Sequence, residues 1–347
     1  MTTRGVMERY GHAVLFSAIG AALSLGSAAC GPPRDEAYAF EEKQCGSLSQ
    51  PRSPSPAPER GTARISGHAE RVDDDTITVT LAPLVDLEAN AVIDWSESDV
   101  SVSGSASASA TLACELELVA EAAAPEAVDI VFVLDTTGSM LWAIDGVKAG
   151  IDAFLETLEV LNVNARVGGV EFGDEVRTSA PLGNIDDFRV WLDHMTATGG
   201  ADTPENPLDA IQAANDFSYR SNALRYMVVV TDTGMHESTD GTDCSETTLR
   251  ATQQVLDPST FISLVHPNVS NPLGVHPREL TRALGGLFIA IGTSTTVDFD
   301  VSLDTPADDV LGSIAVLTCT GAGDSDSVDV TTSVADEPVT TTFEVAN

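Results

Sequence analysis

The feature that most restricts the fold is residues 128–134 (VDIVFVL), a nearly continuous apolar run that ends directly at the polar stretch DTTGSM. A run of this length and composition is typical of a strand buried on both faces of a parallel sheet. It therefore predicts a strand of an α/β domain, with a polar loop at its carboxyl end.

The residues after this run alternate between two patterns. Residues 144–158 repeat apolar side chains mostly at spacings of three and four, which places them on one face of a helix. Further strands are predicted at 165–174, 225–231, 261–267 and 287–291, and further helices at 186–195, 205–217, 245–256 and 277–286. This alternation predicts an α/β fold over 127–296, with a mostly parallel central sheet and helices on both faces.

Both flanks of this domain show the period-two alternation of β-strands. The pattern is present in TITVTLAPL and LACELELVA of segment 61–126, and in SIAVLTC and SVDVTTSV of segment 297–347. Two separate β modules of this size would each be marginally stable. We therefore favour one β-sandwich built from both flanks, with the α/β domain inserted between them.

The N-terminus carries an export pattern. Arg4 and Arg9 precede an apolar run over 13–29, and small residues lead to Cys30. This predicts a signal peptide over 1–29; a transmembrane anchor is the alternative, for which the run is short. The ending resembles the lipobox of bacterial lipoproteins, which implies lipidation of Cys30, with ordinary cleavage after Ala29 as the alternative. Residues 30–60, rich in Pro and Ser, predict a disordered tether.

The cysteine count agrees with export. Without Cys30, four cysteines remain, which can form two disulfides in three connectivities: Cys45, Cys114, Cys244 and Cys319. Cys114 and Cys319 lie in the two β flanks, so a bridge between them would join the flanks. Cys244 lies in the polar segment 236–249 and would restrain it.

The charge excludes two classes of partner. The chain has 17 Lys and Arg against 53 Asp and Glu, which gives a formal net charge of −36. Without a basic surface the chain is not expected to bind nucleic acid, nor to bind anionic lipid by polybasic attraction. An acidic surface favours divalent cations, although acidity more often serves solubility.

Three polar loops are predicted to meet at one edge of the central sheet. The first loop (135–140, DTTGSM) and the third loop (231–236, TDTGMH) each follow a strand, and the second loop (199–205, GGADTPE) precedes a helix. In open parallel sheets, ligands bind at the carboxyl ends of the strands. Taken singly, these loops are also explained as a strand-to-helix turn or a helix start.

The donors in these loops are carboxylate and hydroxyl oxygens. Such donors suit Mg²⁺ or another hard cation, whereas zinc favours Cys and His. The D-x-T-x-S spacing lets one turning loop direct Asp135, Thr137 and Ser139 at a single point. Because hydroxyls add no charge, a cation held by them stays able to accept a carboxylate from another molecule.

Together, the three loops resemble the von Willebrand factor A (VWA) domain and its metal-ion-dependent adhesion site, in the integrin-β-like branch, over about 127–295. The resemblance implies a Rossmann-like fold and a site for Mg²⁺, with Mn²⁺ or Ca²⁺ as alternatives. The implied ligands are Asp135, Thr137 and Ser139 from the first loop, Glu205 or Asp202 from the second, and Asp232 from the third. That branch inserts its A domain into a β-sandwich, and its adjacent second metal site lacks acidic counterparts here, since Trp142 and Ala143 follow Leu141.

The resulting functional prediction is a binding module and not an enzyme. We expect a lipoprotein of the bacterial cell envelope, anchored to the membrane by its N-terminal lipid, that binds a protein partner through a metal-bridged Asp or Glu carboxylate. One alternative is a metal-assisted hydrolase with Glu205 or Asp202 as general base. Another is a structural component of an envelope assembly, in which the metal only stabilises the fold.

Overall fold

The computed structural model of the chain describes residues 45–59, 61–105, 112–118, 127–200, 203–267, 272–291 and 313–346. The predicted signal peptide, the lipidation site Cys30 and the candidate ligand Asp202 lie outside these residues. Within the described segments, no helix combines the length and apolar character needed to cross a bilayer.

The described residues form seventeen strands and five α-helices. The strands are β1 (Pro51–Arg52), β2 (Gly67–Arg71), β3 (Thr76–Leu81), β4 (Leu84–Asp86), β5 (Ala91–Ile93), β6 (Ser101–Gly104), β7 (Ala113–Leu118), β8 (Val128–Asp135), β9 (Ala165–Phe172), β10 (Val176–Gly183), β11 (Leu224–Val230), β12 (Thr260–Pro267), β13 (Gly274–Val275), β14 (Leu287–Ile291), β15 (Ala315–Thr320), β16 (Ser327–Val334) and β17 (Glu337–Ala346). The helices are α1 (Ile144–Val160), α2 (Ile185–Asp193), α3 (Pro207–Asn215), α4 (Leu249–Val255) and α5 (Pro277–Leu284). Short 3-10 turns occupy Trp95–Glu97 and Gly138–Trp142.

The central sheet has six strands in the order β10-β9-β8-β11-β12-β14. All neighbours pair in parallel except β10, which is antiparallel to β9. Strand β8 is buried along its whole length. Helices α1 and α2 contribute to the hydrophobic cluster on one face, and α3, α4 and α5 contribute to the other. The α/β prediction with a mostly parallel sheet and helices on both faces is confirmed.

The edge strand β10 was not predicted from the sequence. Its residues, VRTSAPLG, are exposed or only partly buried, and they include a proline. An edge strand needs no continuous apolar run, because one side of it is open to solvent and a proline is tolerated there. The period-two signal that identifies half-buried strands is therefore missing here.

Strands from both β flanks pair within one seven-stranded sheet of order β6-β16-β17-β2-β3-β15-β7. Strand β15 of the C-terminal flank lies between β3 and β7 of the N-terminal flank. A shared hydrophobic cluster includes Ile77 and Val79 from one flank and Leu317, Val330 and Phe343 from the other. The flanks therefore bury their apolar side chains against each other.

Two disulfides connect distant parts of the chain. Cys114 and Cys319 face each other across the antiparallel pair β7–β15 and are bonded. Cys45 is bonded to Cys244, which lies in the polar segment after the third loop. The first bridge joins the two β flanks, and the second attaches the N-terminal residues to the α/β domain.

The prediction of a disordered tether over 30–60 is wrong for residues 45–59, which we call the strap. The strap is held by the Cys45–Cys244 bond, and its strand β1 pairs in parallel with β13. Pro54 and Pro58 of the strap are buried. A disulfide and backbone hydrogen bonds require no apolar periodicity, so a Pro- and Ser-rich composition does not reveal them.

Candidate metal centre

The first and third loops are brought together by neighbouring strands. Strands β8 and β11 pair in parallel, with Leu134 opposite Val230. The next residues, Asp135 and Thr231, therefore leave the sheet side by side at its carboxyl edge. The Thr231 hydroxyl donates a hydrogen bond of 2.7 Å to Asp135 Oδ2.

A chain of hydrogen bonds connects four of the predicted ligands. Asp135 Oδ1 accepts from the backbone N–H of Thr137 at 2.9 Å and from its hydroxyl at 2.7 Å. The hydroxyl oxygens of Thr137 and Ser139 lie 3.0 Å apart. The Ser139 hydroxyl donates to Asp232 Oδ1 at 2.8 Å. Because Asp135 and Thr137 are buried and Ser139 is exposed, this cluster opens to solvent on the Ser139 side.

The second loop places Glu205 beside Thr137. Gly200 lies between them, since a Cβ added to Gly200 would sit 2.8 Å from Thr137 Cβ and 3.3 Å from Glu205 Oε1. Gly200 has a φ of +79°, which favours glycine in any case. The Gly138 N–H also donates to the Gly199 carbonyl at 2.8 Å. The first and second loops are thus closely packed at this point.

The backbone of Glu205 is bonded to the third loop. Its N–H donates to the Gly234 carbonyl at 3.2 Å, and its carbonyl accepts from the His236 N–H at 2.8 Å. Glu205 is only 2% exposed. Of the two second-loop candidates, Glu205 is therefore held next to the first and third loops, whereas Asp202 lies outside the described residues.

Sequence reasoning did not identify Arg177, which joins the first loop to the residue just before the second loop. From β10, its guanidinium donates to the carbonyls of Thr136 at 2.8 Å and of Thr198 at 2.9 Å. Burial lowers the pKa of Arg177, and the charge of Glu205 acts in the opposite direction. No sequence signal pointed to Arg177, because strand β10 itself was not predicted.

The two aspartates of this cluster have raised pKa values, because their charged forms are unfavourable in this environment. Burial, and to a smaller extent the nearby charge of Asp232, raises the pKa of Asp135 to about 6. Burial also raises the pKa of Asp232, although hydrogen bonds from Ser139 and Trp142 partly oppose this. Two like charges in a buried site destabilise each other unless a cation neutralises them. The all-oxygen donor set and this repulsion fit a hard divalent cation.

A second group of potential ligands is not a metal site in this state. The ligand atoms of Cys45, Asp174 and Cys244 lie within 4.8 Å of one another. The two cysteines are bonded to each other, so they offer no thiolate to a metal. This group is therefore a cross-link that packs beside the loop at Asp174.

The family comparison agrees with the geometry. Residues 129–262 match the family model of the von Willebrand factor type A domain. These residues have the VWA fold. The matched range includes the three loops and the five described candidate ligands, Asp135, Thr137, Ser139, Glu205 and Asp232.

Similarity to individual proteins is more distant. The alpha-protein kinase vwkA of Dictyostelium discoideum is 26% identical over 131 residues, which are 35% of this chain and 21% of that protein. The chain thus matches about a fifth of the length of this curated relative. The similarity does not extend the VWA assignment to the kinase activity that the relative is named for.

The solved structures that resemble the chain are also distant. BatB from Bacteroides thetaiotaomicron has a TM-score of 0.39 and 14% identity, and the match covers 53% of this chain and 97% of that one. Proximal thread matrix protein 1 of the mussel byssus, solved with a zinc-occupied MIDAS motif, has a TM-score of 0.41 and 16% identity, covering 61% of this chain and 50% of that one. Similarities of this size carry no argument about function.

Proposed function

We propose that the VWA domain of this chain binds a divalent cation and, through it, a protein partner. The proposed ligands are Asp135, Thr137, Ser139, Glu205 and Asp232, with Asp202 as the alternative from the second loop. The proposed cation is Mg²⁺, with Mn²⁺ or Ca²⁺ as alternatives. The observation that carries this proposal is the hydrogen-bonded chain from the buried Asp135 through Thr137 and the exposed Ser139 to the half-buried Asp232.

Each residue has a distinct part in this proposal. Asp135 and Asp232 supply negative charge, and their raised pKa values reflect repulsion that a cation would remove. Thr137 and Ser139 supply neutral oxygens. A bound cation would supply the positive charge that attracts an Asp or Glu carboxylate of the partner. The exposed position of Ser139 places this contact at the surface.

The proposed location is the bacterial cell envelope, with the chain anchored by a lipid on Cys30. The export pattern of residues 1–29 and the two disulfides support an exported protein. The proposed relation to the integrin-β-like branch is supported by the single sheet that strands from both β flanks form. A Cys30→Ala variant is expected to move from the membrane fraction to the soluble fraction of the cell envelope.

Calorimetric titration with Mg²⁺ and with Mn²⁺ tests the metal site. We expect the wild-type protein to bind and Asp135→Ala to lose at least about 100-fold in affinity, because a buried charged ligand is removed. Asp186→Ala is the matched control, since the Asp186 side chain on α2 is 90% exposed and remote in sequence from the three loops. Equal binding by wild type and Asp135→Ala would contradict the proposal.

Partner binding is tested by affinity capture from envelope extracts with and without EDTA. We expect captured protein to be released by EDTA and to be missing with Asp135→Ala. Capture that ignores both EDTA and the Asp135→Ala substitution would contradict a metal-bridged contact and favour a structural role. Metal-dependent turnover in a hydrolase screen would contradict the assignment as a binding module.

A further inference from the structure

The strap is hydrogen-bonded to the second loop and to the segment that follows the third loop. The Leu48 N–H donates to the Thr203 carbonyl at 3.0 Å, two residues before Glu205. The Arg52 guanidinium donates to the Asp240 carbonyl, in the segment that follows the third loop. Strand β13, with which the strap pairs, is in turn bridged to Met235 of the third loop. The strap therefore contacts the second loop directly and is linked to the third loop through β13.

The Cys45–Cys244 disulfide is close to Asn206, the residue that follows Glu205, and to Asp174. The Asn206 side chain donates to the Cys244 carbonyl at 2.9 Å, and its N–H donates to the Gly173 carbonyl at 3.0 Å. Cys45 Sγ lies 4.0 Å from the carbonyl of Asp174, the residue after Gly173. One small cluster thus joins the strap, the β9–β10 connection and the chain directly after Glu205.

These contacts restrain Glu205 from three sides. The strap bonds to Thr203 before it, the disulfide cluster bonds to Asn206 after it, and the third loop bonds to its own backbone. Binding is tighter when ligands are held in place beforehand, because less conformational entropy is lost on binding. Removal of one restraint is expected to loosen the ligand without removing it.

We propose that the strap and its Cys45–Cys244 disulfide position Glu205 for cation binding, so that loss of this cross-link weakens the metal site. The inference rests on the proposed function of the three loops. It assigns a positioning role to a segment that supplies no ligand itself. It also makes the cation affinity depend on whether this disulfide has formed.

The other disulfide provides a matched control. The two bonds close similar lengths of chain, with sequence separations of 199 for Cys45–Cys244 and 205 for Cys114–Cys319. In the chain-entropy description, they therefore restrict the unfolded chain to nearly the same extent. Cys114–Cys319 joins β7 and β15 of the seven-stranded sheet, whereas Cys45–Cys244 is attached to the second loop through Asn206.

The experiment compares the wild-type protein with two double variants, Cys45→Ser with Cys244→Ser and Cys114→Ser with Cys319→Ser. Each full chain is titrated with Mg²⁺ and with Mn²⁺, and hydrogen exchange of residues 203–206 is measured without metal. We expect the first variant to lose about tenfold in affinity and to exchange faster at 203–206. We expect the second to match the wild type within twofold, although both variants unfold more easily.

The outcomes separate this inference from the proposed function. Unchanged affinity in the Cys45→Ser, Cys244→Ser variant would overturn the positioning role while the metal site stands. Absence of binding by the oxidised wild-type protein would overturn the metal site itself. An equal loss in both double variants would show a general effect of stability and would also overturn the positioning role.

A single substitution tests the same role with both disulfides intact. Arg52→Ala removes the strap's contact with the Asp240 carbonyl from an exposed residue, so the fold is expected to persist. We expect a loss of about threefold in cation affinity and faster exchange of segment 236–249. Unchanged affinity and exchange would contradict the positioning role even if the double variants fail to fold.

Discussion

Strand β8 carries a buried aspartate near each end, and the protein surrounds the two in opposite ways. Asp129 is 0% exposed and forms ion pairs of 2.6 Å with Arg166 and with Arg220. Burial alone would raise the pKa of Asp129, but hydrogen bonds from both arginines outweigh it and hold the pKa below its usual value. At this end of the strand, the charge is fully compensated.

Asp135, six residues later on the same strand, is 1% exposed. Its hydrogen-bond donors among the described residues are neutral: the Thr137 N–H and the hydroxyls of Thr137 and Thr231. Burial and the charge of Asp232 raise its pKa to about 6. At this end the charge is left for another group to compensate, at some expense in stability.

The difference separates a carboxylate that the protein itself neutralises from one that, under the proposed function, a cation would neutralise. Burial is the same for both aspartates, so burial alone identifies neither role. The deciding feature is whether cationic side chains or neutral hydroxyls face the carboxylate. Sites that bind a cation keep carboxylates in an arrangement that is unfavourable while the site is empty.

The largest expected effect is at Asp129. Asp129→Asn leaves Arg166 and Arg220 without their buried counter-charge, and we expect it to lower the free energy of unfolding by about 3 kcal/mol. Urea denaturation measures this loss. The cation affinity of the folded fraction is expected to stay within twofold of wild type. A loss below about 1 kcal/mol would contradict the contrast between the two ends.

The opposite sign is expected at Asp135. Asp135→Asn removes a repelled, buried charge, so the metal-free protein is expected to gain about 2 kcal/mol in free energy of unfolding at pH 7. The same denaturation series measures this gain in EDTA. Destabilisation comparable to that of Asp129→Asn would show that Asp135 has an ordinary structural role.

The pH dependence follows from the same two groups. Cation binding requires ionised Asp135, so with a pKa of about 6 the affinity is expected to fall about tenfold between pH 7 and pH 5. The metal-free fold gains stability from Asp135 as pH falls through about 6, because its pKa is raised on folding. Asp129 has the opposite linkage, since its contribution is present above its ordinary pKa and is lost as pH falls through its lowered pKa. Titrations at both pH values check the tenfold change, and a constant affinity would contradict it.

The smallest expected effect concerns the close packing of Gly200 against Thr137, near Asp135. An alanine at Gly200 would place its Cβ 2.8 Å from Thr137 Cβ, whereas one at Gly241 would meet nothing within 4 Å. Both glycines have positive φ, so both substitutions strain the backbone by about 1 kcal/mol. Only Gly200→Ala is expected to weaken cation binding, by about fivefold in calorimetric titration. An equal effect of the two variants would show that backbone strain alone is responsible.

Much of the α/β domain was predictable because its elements bury side chains in regular patterns. Strand β8 is apolar on both faces, and helix α1 repeats apolar residues on one face, so each pattern reports its own environment. The same logic placed Asp135 and Asp232 at the carboxyl ends of strands. That prediction needed only the rule that parallel strands end at the same edge.

Other features depend on partners that are distant in sequence. The strap was predicted to be a tether from its Pro- and Ser-rich composition. That composition does not reveal its attachments, which are a disulfide to Cys244 and backbone pairing with β13. Arg177 and the ion pairs of Asp129 were not predicted for the same reason, because the sequence around a single charged residue does not show which side chains it contacts. The position of Glu205 beside the first loop also depended on packing around Gly200.

The sequence by itself determined the class of the central domain, the two loops that follow β8 and β11, and the hard-oxygen character of their side chains. Only the tertiary structure decided which aspartate of β8 pairs with arginines and which accepts hydrogen bonds from neutral donors. It also decided which segments are hydrogen-bonded to the residues on either side of Glu205. The physical reason is that hydrophobic periodicity is a local consequence of burial. Charge compensation and cross-linking depend instead on residues that meet only when the chain has folded.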